Sequence, residues 1–324
     1  MKQKILITIG LVLILALIGF MIKDLFLGPA GHPNPYEYDI SGIRKGDTNT
    51  VQFKEAQVIK PGLTEIHGIA LNKSGKIFVA GKDGVEIFDP QGNLDSKFVI
   101  QGTANCIFVD KDNTIYLGMN DHLEKYDVNG KQLQKWSPAY PESLLTSIAT
   151  SGNEVFVADA GAKIVYRYDD NGRMQKTIGQ KDPQTGVKGF IIPSPYFDLA
   201  VEGKNKLWVV NPGRHKLEEY TFDGEPVRSW GVASMATEGF CGCCNPSNFA
   251  IMPDSTFVTS EKAIERIKLY SHKGEFICLV AAADSFNEGT KGIDLAVNAK
   301  GEIYVLDPER TEIRKFVKKN NQPI

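Results

Sequence analysis

The sequence predicts an all-β fold, a six-bladed β-propeller, carried behind one N-terminal transmembrane helix. Three observations predict it. A short strand with a central aromatic residue recurs at intervals of roughly 40–50 residues, the period of a four-stranded blade. Each recurrence is followed by an alternating strand, and the first five then by a turn that ends in glycine. An apolar run without charge, Ile5 to Ile22, precedes all of them.

As a helix rising about 1.5 Å per residue, that run would be about 27 Å long, close to the hydrocarbon thickness of a bilayer. Lys2 and Lys4 precede it, whereas Lys23 and Asp24 cancel behind it. Positive charge therefore stays on the cytoplasmic side and the main domain is expected on the extracytoplasmic side, periplasmic or extracellular. A signal peptide cleaved after Gly28-Pro-Ala30 is the alternative, although Lys23 interrupts the approach to that site. The expected organisation is an anchor over 1–27, a Gly- and Pro-rich linker over 28–49, the propeller over 50–319 and a tail over 320–324.

The 324 residues are 42% hydrophobic and 23% charged, enough to bury a core, and the net charge of −2 gives no drive towards polyanions. The basic cluster Arg314, Lys315, Lys318 and Lys319 reads as the solvated last strand. Nucleic acid is excluded as a partner.

The recurring strands are Lys76-Ile-Phe-Val79, Thr114-Ile-Tyr-Leu117, Glu154-Val-Phe-Val157, Lys206-Leu-Trp-Val209, Ser255-Thr-Phe-Val258 and Glu302-Ile-Tyr-Val305. Ahead of them stand small apolar strands such as Gly68-Ile-Ala-Leu71 and Asp198-Leu-Ala-Val201, suited to the crowded hub. Behind them, alternating strands such as Leu123-Glu-Lys-Tyr126 offer two faces to neighbouring blades. Gly92, Gly130, Gly172, Gly224 and Gly274 mark the tight hairpins that follow. The sixth copy stops after its third strand, Glu312-Ile-Arg-Lys-Phe316. The N-terminal stretch Glu55-Ala-Gln-Val-Ile59 has the pattern of the missing fourth strand and is expected to close the ring.

The chain resembles the NHL-repeat family of propellers at Trp230-Gly231, Gly239-Phe240, Pro246 and Phe249-Ala250, and again at Gly189-Phe190, Pro193, Phe197 and Leu199-Ala200. Asp159 before Lys163-Ile164 and Asp307 before Glu312-Ile313 fit the family's turn between second and third strands. Ala80, Gly118 and Ser260 stand where the family often has Asp. The resemblance covers Glu55 to Lys319 and implies a scaffold, not a reaction. It also implies that the crossover from each outermost strand to the next innermost strand lies on the face where ligand-binding loops gather.

One such crossover carries Phe240-Cys-Gly-Cys-Cys-Asn-Pro246, so Cys241, Cys243 and Cys244 fall within four residues. Three chemistries fit: a structural disulfide, a soft metal ion or iron–sulfur cluster completed by His67 or His122, or thiol–disulfide exchange. Cys106 and Cys278 lie inside predicted strands and read as packing residues. On the same face His67, His122, Arg214, His215, Glu261 and Arg310 are the expected binding residues, and with Lys82, Asp159, Asn211, Lys262 and Asp307 they make a mixed-charge rim, a binding surface for a protein or small molecule. At the hub, Asp198, Asn248 and Asp294 occupy equivalent positions. They either hold Ca²⁺ or Zn²⁺, as in propeller lactonases and lyases of similar fold, or hydrogen-bond the adjacent inner strands. No HExxH, Walker loop or Gly-x-Ser-x-Gly elbow is present. The sequence thus points to a membrane-tethered binding or sensing module, with a channel hydrolase or lyase and a thiol or metal-handling protein as alternatives.

Overall fold

The computed structural model describes residues 2–26, 44, 50–137, 140–184 and 187–319. The chain divides into two compact units, Met1–Ser41 and Gly42–Ile324. Apart from Arg44, the linker expected over 28–49 lies outside the described residues up to residue 50, as does the tail from residue 320.

The first unit is helix α1, Lys2–Phe26. Ile9, Leu11 to Leu15, Leu17, Ile18 and Phe20 are all exposed apart from the intervening small residues. At about 100° per residue these apolar side chains cover every side of the helix. Its side chains are described without a break over 8–21 only. Among the described residues no helix is long and apolar enough to cross a membrane. The span expected over Ile5 to Ile22 runs beyond that stretch.

The second unit is a six-bladed propeller of antiparallel sheets. Blade two is Cys106–Val109, Ile115–Gly118, Leu123–Tyr126 and Gln132–Trp136, from hub to rim. Blade three is Leu145–Ser151, Glu154–Asp159, Ile164–Asp169 and Met174–Ile178; blade four is Leu199–Glu202, Lys206–Asn211, Lys216–Tyr220 and Pro226–Trp230. Blade five is Asn248–Ile251, Phe257–Ser260, Ile267–Tyr270 and Phe276–Ala281. Blade six takes Asp294–Val297, Ile303–Asp307 and Glu312–Lys318 from the C-terminus and Phe53–Ile59 from the N-terminus. The register runs from Phe53 opposite Lys318 to Ile59 opposite Ile313, with a bulge between Glu55 and Gln57. The ring closes as its sequence pattern requires.

Blade one departs from expectation. Its second and third strands form one unbroken run, Ile77–Phe88, between Ile66–Leu71 and Leu94–Thr103. Asp83, in the left-handed region at φ 61°, absorbs the change of direction. The outer hairpins also differ in detail: glycine alone has positive φ, +87° at Gly92 and +81° at Gly130. The residue before it is not left-handed, and a register shift sits one step back in each strand, as between Lys125 and Tyr126. These are longer turns with a bulge, held by an acceptor side chain. Asp89 Oδ1 accepts from Gln91 N and Asn93 N, and Asp127 Oδ1 from Asn129 N and Lys131 N.

The repeated aromatics Phe78, Tyr116, Phe156, Trp208, Phe257 and Tyr304 are all buried. They stitch blades together: Trp208 of blade four meets Phe257 of blade five edge-on at 4.8 Å, and Phe156 of blade three meets Phe222 at 4.6 Å. The innermost strands contact one another in a ring around a cavity of about 260 Å³. Every crossover between blades, and every loop between second and third strands, lies on one face of that ring, because the strands of each sheet alternate in direction.

Candidate functional site

On the loop face, a cavity of about 400 Å³ opens above the hub, lined by His67, Asn105, Tyr196, Asn248, Lys291 and Asp294 among others. Asn105, Tyr196 and Lys291 arrive from crossovers, Asn248 and Asp294 from the first position of an innermost strand and His67 from the second, so different blades contribute to one mouth. His67 Nε2 and Asn248 Oδ1 are shielded from solvent and have no hydrogen-bond partner. Glu65 Oε2 lies 3.8 Å from the same His67 nitrogen.

Beneath the mouth, the three hub candidates bind protein. Asp198 Oδ1 accepts from Ser147 Oγ at 2.6 Å and Leu199 N at 2.8 Å, while its Oδ2 accepts from Phe249 N at 2.8 Å. Asp294 Oδ2 accepts from Ile69 N at 2.9 Å, and its Oδ1 accepts from Leu295 N at 2.8 Å and Asn248 Nδ2 at 3.4 Å. Each carboxylate thus joins its own innermost strand to the next one. Burial, reinforced by the nearby Asp294 carboxylate, pushes Asp198 up to about 7; burial, partly offset by its backbone donors, pushes Asp294 up to about 6.

The rim residues are mostly spent on structure. Asp159 Oδ1 accepts from Leu144 N, Asn211 Oδ1 from Ile191 N, and Glu261 Oε1 from Cys241 N. In each case the end of a second strand latches the preceding crossover. Glu261, not Ser260, therefore stands in blade five where Asp159 stands in blade three: Glu261 N donates to Arg266 O, as Asp159 pairs with Ile164. Glu261 is also fully buried between Arg266 Nε, at 2.8 Å, and Lys268 Nζ, at 3.2 Å. Burial drives the Lys268 amine down to about 8 against the pull of Glu261. Arg214 donates to Glu218 and Gly189 O, Arg310 to Asn287 and Ser285 O, and His122 contacts both Asp121 and Glu124. His215 ends a short 3-10 turn in the left-handed conformation. Of the six expected binding residues, only His67 lines the mouth.

The cysteine motif is a set of free thiols. The expected disulfide is not formed. Cys241 is buried with its Sγ 3.8 Å from Arg266 Nη2, Cys244 is buried, and Cys243 is exposed. Among the described residues no three His, Cys, Asp or Glu side chains come together to hold a metal ion. No such group is assembled at the cysteines with His67 or His122, nor at Asp198, Asn248 and Asp294. Cys241 turns towards Arg266 and away from the Cys243–Cys244 pair, and the hub carboxylates accept from backbone amides, Ser147 Oγ and Asn248 Nδ2. Cys106 and Cys278 are buried strand residues, as their sequence context requires.

The mouth residues Asn105, Tyr196 and Lys291 escaped sequence reasoning. The one signal for them is position, since each lies in or ends a crossover just ahead of an innermost strand. The hub carboxylates carry a pH signature. The folded chain retains protons on Asp198 and Asp294 that the unfolded chain releases near 3.8. Stability from these groups is complete below about pH 4 and is lost as pH rises through about 6 and 7. Denaturant unfolding at pH 5 and pH 8 should show this fall for the native chain and a smaller one for Asp198→Asn; an equal fall in both removes the assignment.

Two solved structures of similar fold are a streptogramin B lyase and the selenomethionine form of virginiamycin B lyase from Staphylococcus aureus. The first aligns with a TM-score of 0.58 and 12% identity, over 82% of this chain and 98% of that one. The second aligns with a TM-score of 0.57 and 13% identity, over 82% of this chain and 100% of that one. No family model matches the chain, and no curated protein matches it. At these identities the likeness establishes the propeller fold and nothing beyond it.

Proposed function

We propose that this chain is an NHL-like, extracytoplasmic ligand-binding propeller, tethered to a membrane by α1, whose mouth receives a small polar molecule. The observation that carries the reading is the pair of shielded, unpartnered atoms in the mouth, His67 Nε2 and Asn248 Oδ1. A buried polar atom without a partner costs about 1–3 kcal/mol, which a ligand that bonds to it recovers. Lys291 and Asp294 beside them supply charges of both signs, so a zwitterionic or hydroxylated molecule suits the cavity. The tether rests on α1 being apolar on every side, a composition that water does not favour for an isolated helix.

A lyase is the second reading, favoured by the names of the two solved neighbours. It would use the same mouth, with His67 as the proton-transferring group nearest the opening.

Three experiments test these proposals. Polar small molecules screened by thermal shift should yield ligands that raise Tm, by the equivalent of about 2.7 kcal/mol at a hundredfold excess over Kd. His67→Ala and Asn248→Ala should abolish the shift, and ligands unaffected by both substitutions contradict the mouth as the site. Turnover of a streptogramin B by the native chain, lost in His67→Ala, would replace binding with catalysis. For the tether, a membrane-impermeant maleimide should label exposed Cys243 in intact cells. Labelling only after lysis refutes the extracytoplasmic placement.

A further inference from the structure

The crossover that carries the cysteines meets two other segments beside the mouth. Asn245 is buried and clamps the loop: its Nδ2 donates to Cys241 O at 2.7 Å and Lys262 O at 2.9 Å, and its Oδ1 accepts from Lys262 N at 2.9 Å. Lys262, in the loop between second and third strands of blade five, donates from Nζ to Ser194 Oγ at 2.9 Å. The same amine lies 5.0 Å from the centre of the Tyr196 ring, which lines the mouth. Ser194 and Tyr196 belong to the neighbouring crossover, between blades three and four.

Into this junction the motif places two sulfurs of different access. Cys243 is exposed, Cys244 is buried, and their Sγ atoms are 2.9 Å apart. Cys241 points away, towards Arg266 in the buried ion cluster. We propose that Cys243 and Cys244 form a dithiol–disulfide exchange site at the rim of the mouth, whose co-reactant is the disulfide of a small thiol. The proposal does not depend on the mouth binding a ligand.

The step balances as follows. Cys244 starts as the thiolate, its proton given to solvent. The Cys243 sulfur, the one a co-reactant can reach, attacks one sulfur of RSSR as its proton passes to the Cys244 thiolate. A Cys243–SR bond forms, the RS–SR bond breaks, and the first RS⁻ leaves. That thiolate takes the proton from Cys244, which is a thiolate again. The Cys244 thiolate then attacks the Cys243 sulfur, forming the Cys243–Cys244 bond and expelling the second RS⁻, which takes from solvent the proton that Cys244 first released. Two thiols are oxidised by two electrons and one disulfide is reduced to two RSH.

Geometry supports these roles. Burial alone raises the Cys244 thiol, but hydrogen bonds with Cys243, Ser194 and Lys262 outweigh it and bring the thiol below its ordinary value. The hydrogen bond to Cys244, followed by partial burial, raises Cys243, as expected for the thiol that donates to its neighbour. A bridge between adjacent residues closes a small strained ring, and strained or exposed bridges are the readily reduced ones. The pair therefore suits reversible exchange better than permanent cross-linking. Lys262 serves as a positioning residue, linking the sulfur pair to Tyr196 and so to the mouth.

The test uses the full-length chain in glutathione buffers of stepped ratio, with peptide mapping by mass spectrometry. The native chain should gain one Cys243–Cys244 bridge in oxidising buffer and lose it in reducing buffer. Cys244→Ser should accumulate a glutathione adduct on Cys243, because nothing resolves it. Cys243→Ser should accumulate neither bridge nor adduct, because Cys244 is buried. Cys241→Ser should exchange as the native chain does, and Lys262→Met should slow release of the second glutathione by about tenfold without changing formation of the first adduct. Matched unfolding midpoints show that the variants are folded. A bridge that includes Cys241, an unbridged native chain throughout the series, or a folded Cys244→Ser that gains no adduct would each overturn the proposal.

Discussion

The antiparallel pairing of Phe53–Ile59 with Glu312–Lys318 is the constraint on which the propeller depends. It brings together chain segments such as Glu55 and Arg314, which lie 259 positions apart and meet in an ion pair of 2.6 Å. Loop-closure entropy over that distance costs about 5 kcal/mol beyond a constant, so one short strand could not hold the ring alone. Two further contacts share the load. Just before the closing strand, Gln52 N donates to Leu279 O and Leu279 N to Thr50 O, which ties the same segment to blade five. At the hub, Asp294 of blade six accepts from Ile69 N of blade one. Rim and hub are therefore closed by different chemistry, backbone ladder outside and carboxylate inside.

The hub's use of carboxylates explains why its chemistry is structural. An innermost strand has an outward neighbour in its own blade and an unpaired edge facing the axis. Asp198 and Asp294 satisfy part of that edge at the adjacent blade. Their raised protonation is the cost of ionising a group packed in the ring. Loop-face residues Asp159, Asn211 and Glu261 perform a matching task for the crossovers. With these groups occupied, the proposed recognition is left to single atoms without a partner. The unpartnered His67 and Asn248 atoms line the mouth, and Cys243 stands exposed at its rim.

The blades were legible because their signals are local and repeated. A buried aromatic such as Trp208, a glycine at a left-handed turn such as Gly130, and a three-stranded final copy each declare themselves within a few residues. Even the closing strand followed from a pattern and a deficit. Contacts between distant loops did not. Arg266, Lys268 and Tyr270 alternate in and just before the strand Ile267–Tyr270, and nothing near them in the sequence shows that the crossover before blade five folds over them, where Lys268 donates to Thr237 O and Gly239 O. The same covering loop buries Cys241 and turns it from Cys243 and Cys244, which is why three cysteines in four residues do not make one site. His122 meets its partners nearer by, since Asp121 and Glu124 stand beside it in the sequence.

Native-state hydrogen exchange probes the closing strand without altering the chain. If closure underlies the ring, amides of Phe53–Ile59 and Glu312–Lys318 exchange only with the free energy of global unfolding, together with the buried strands of blade four. Exchange of those two strands at a free energy several kcal/mol lower, with the other blades still protected, would show that the ring stands without its closure.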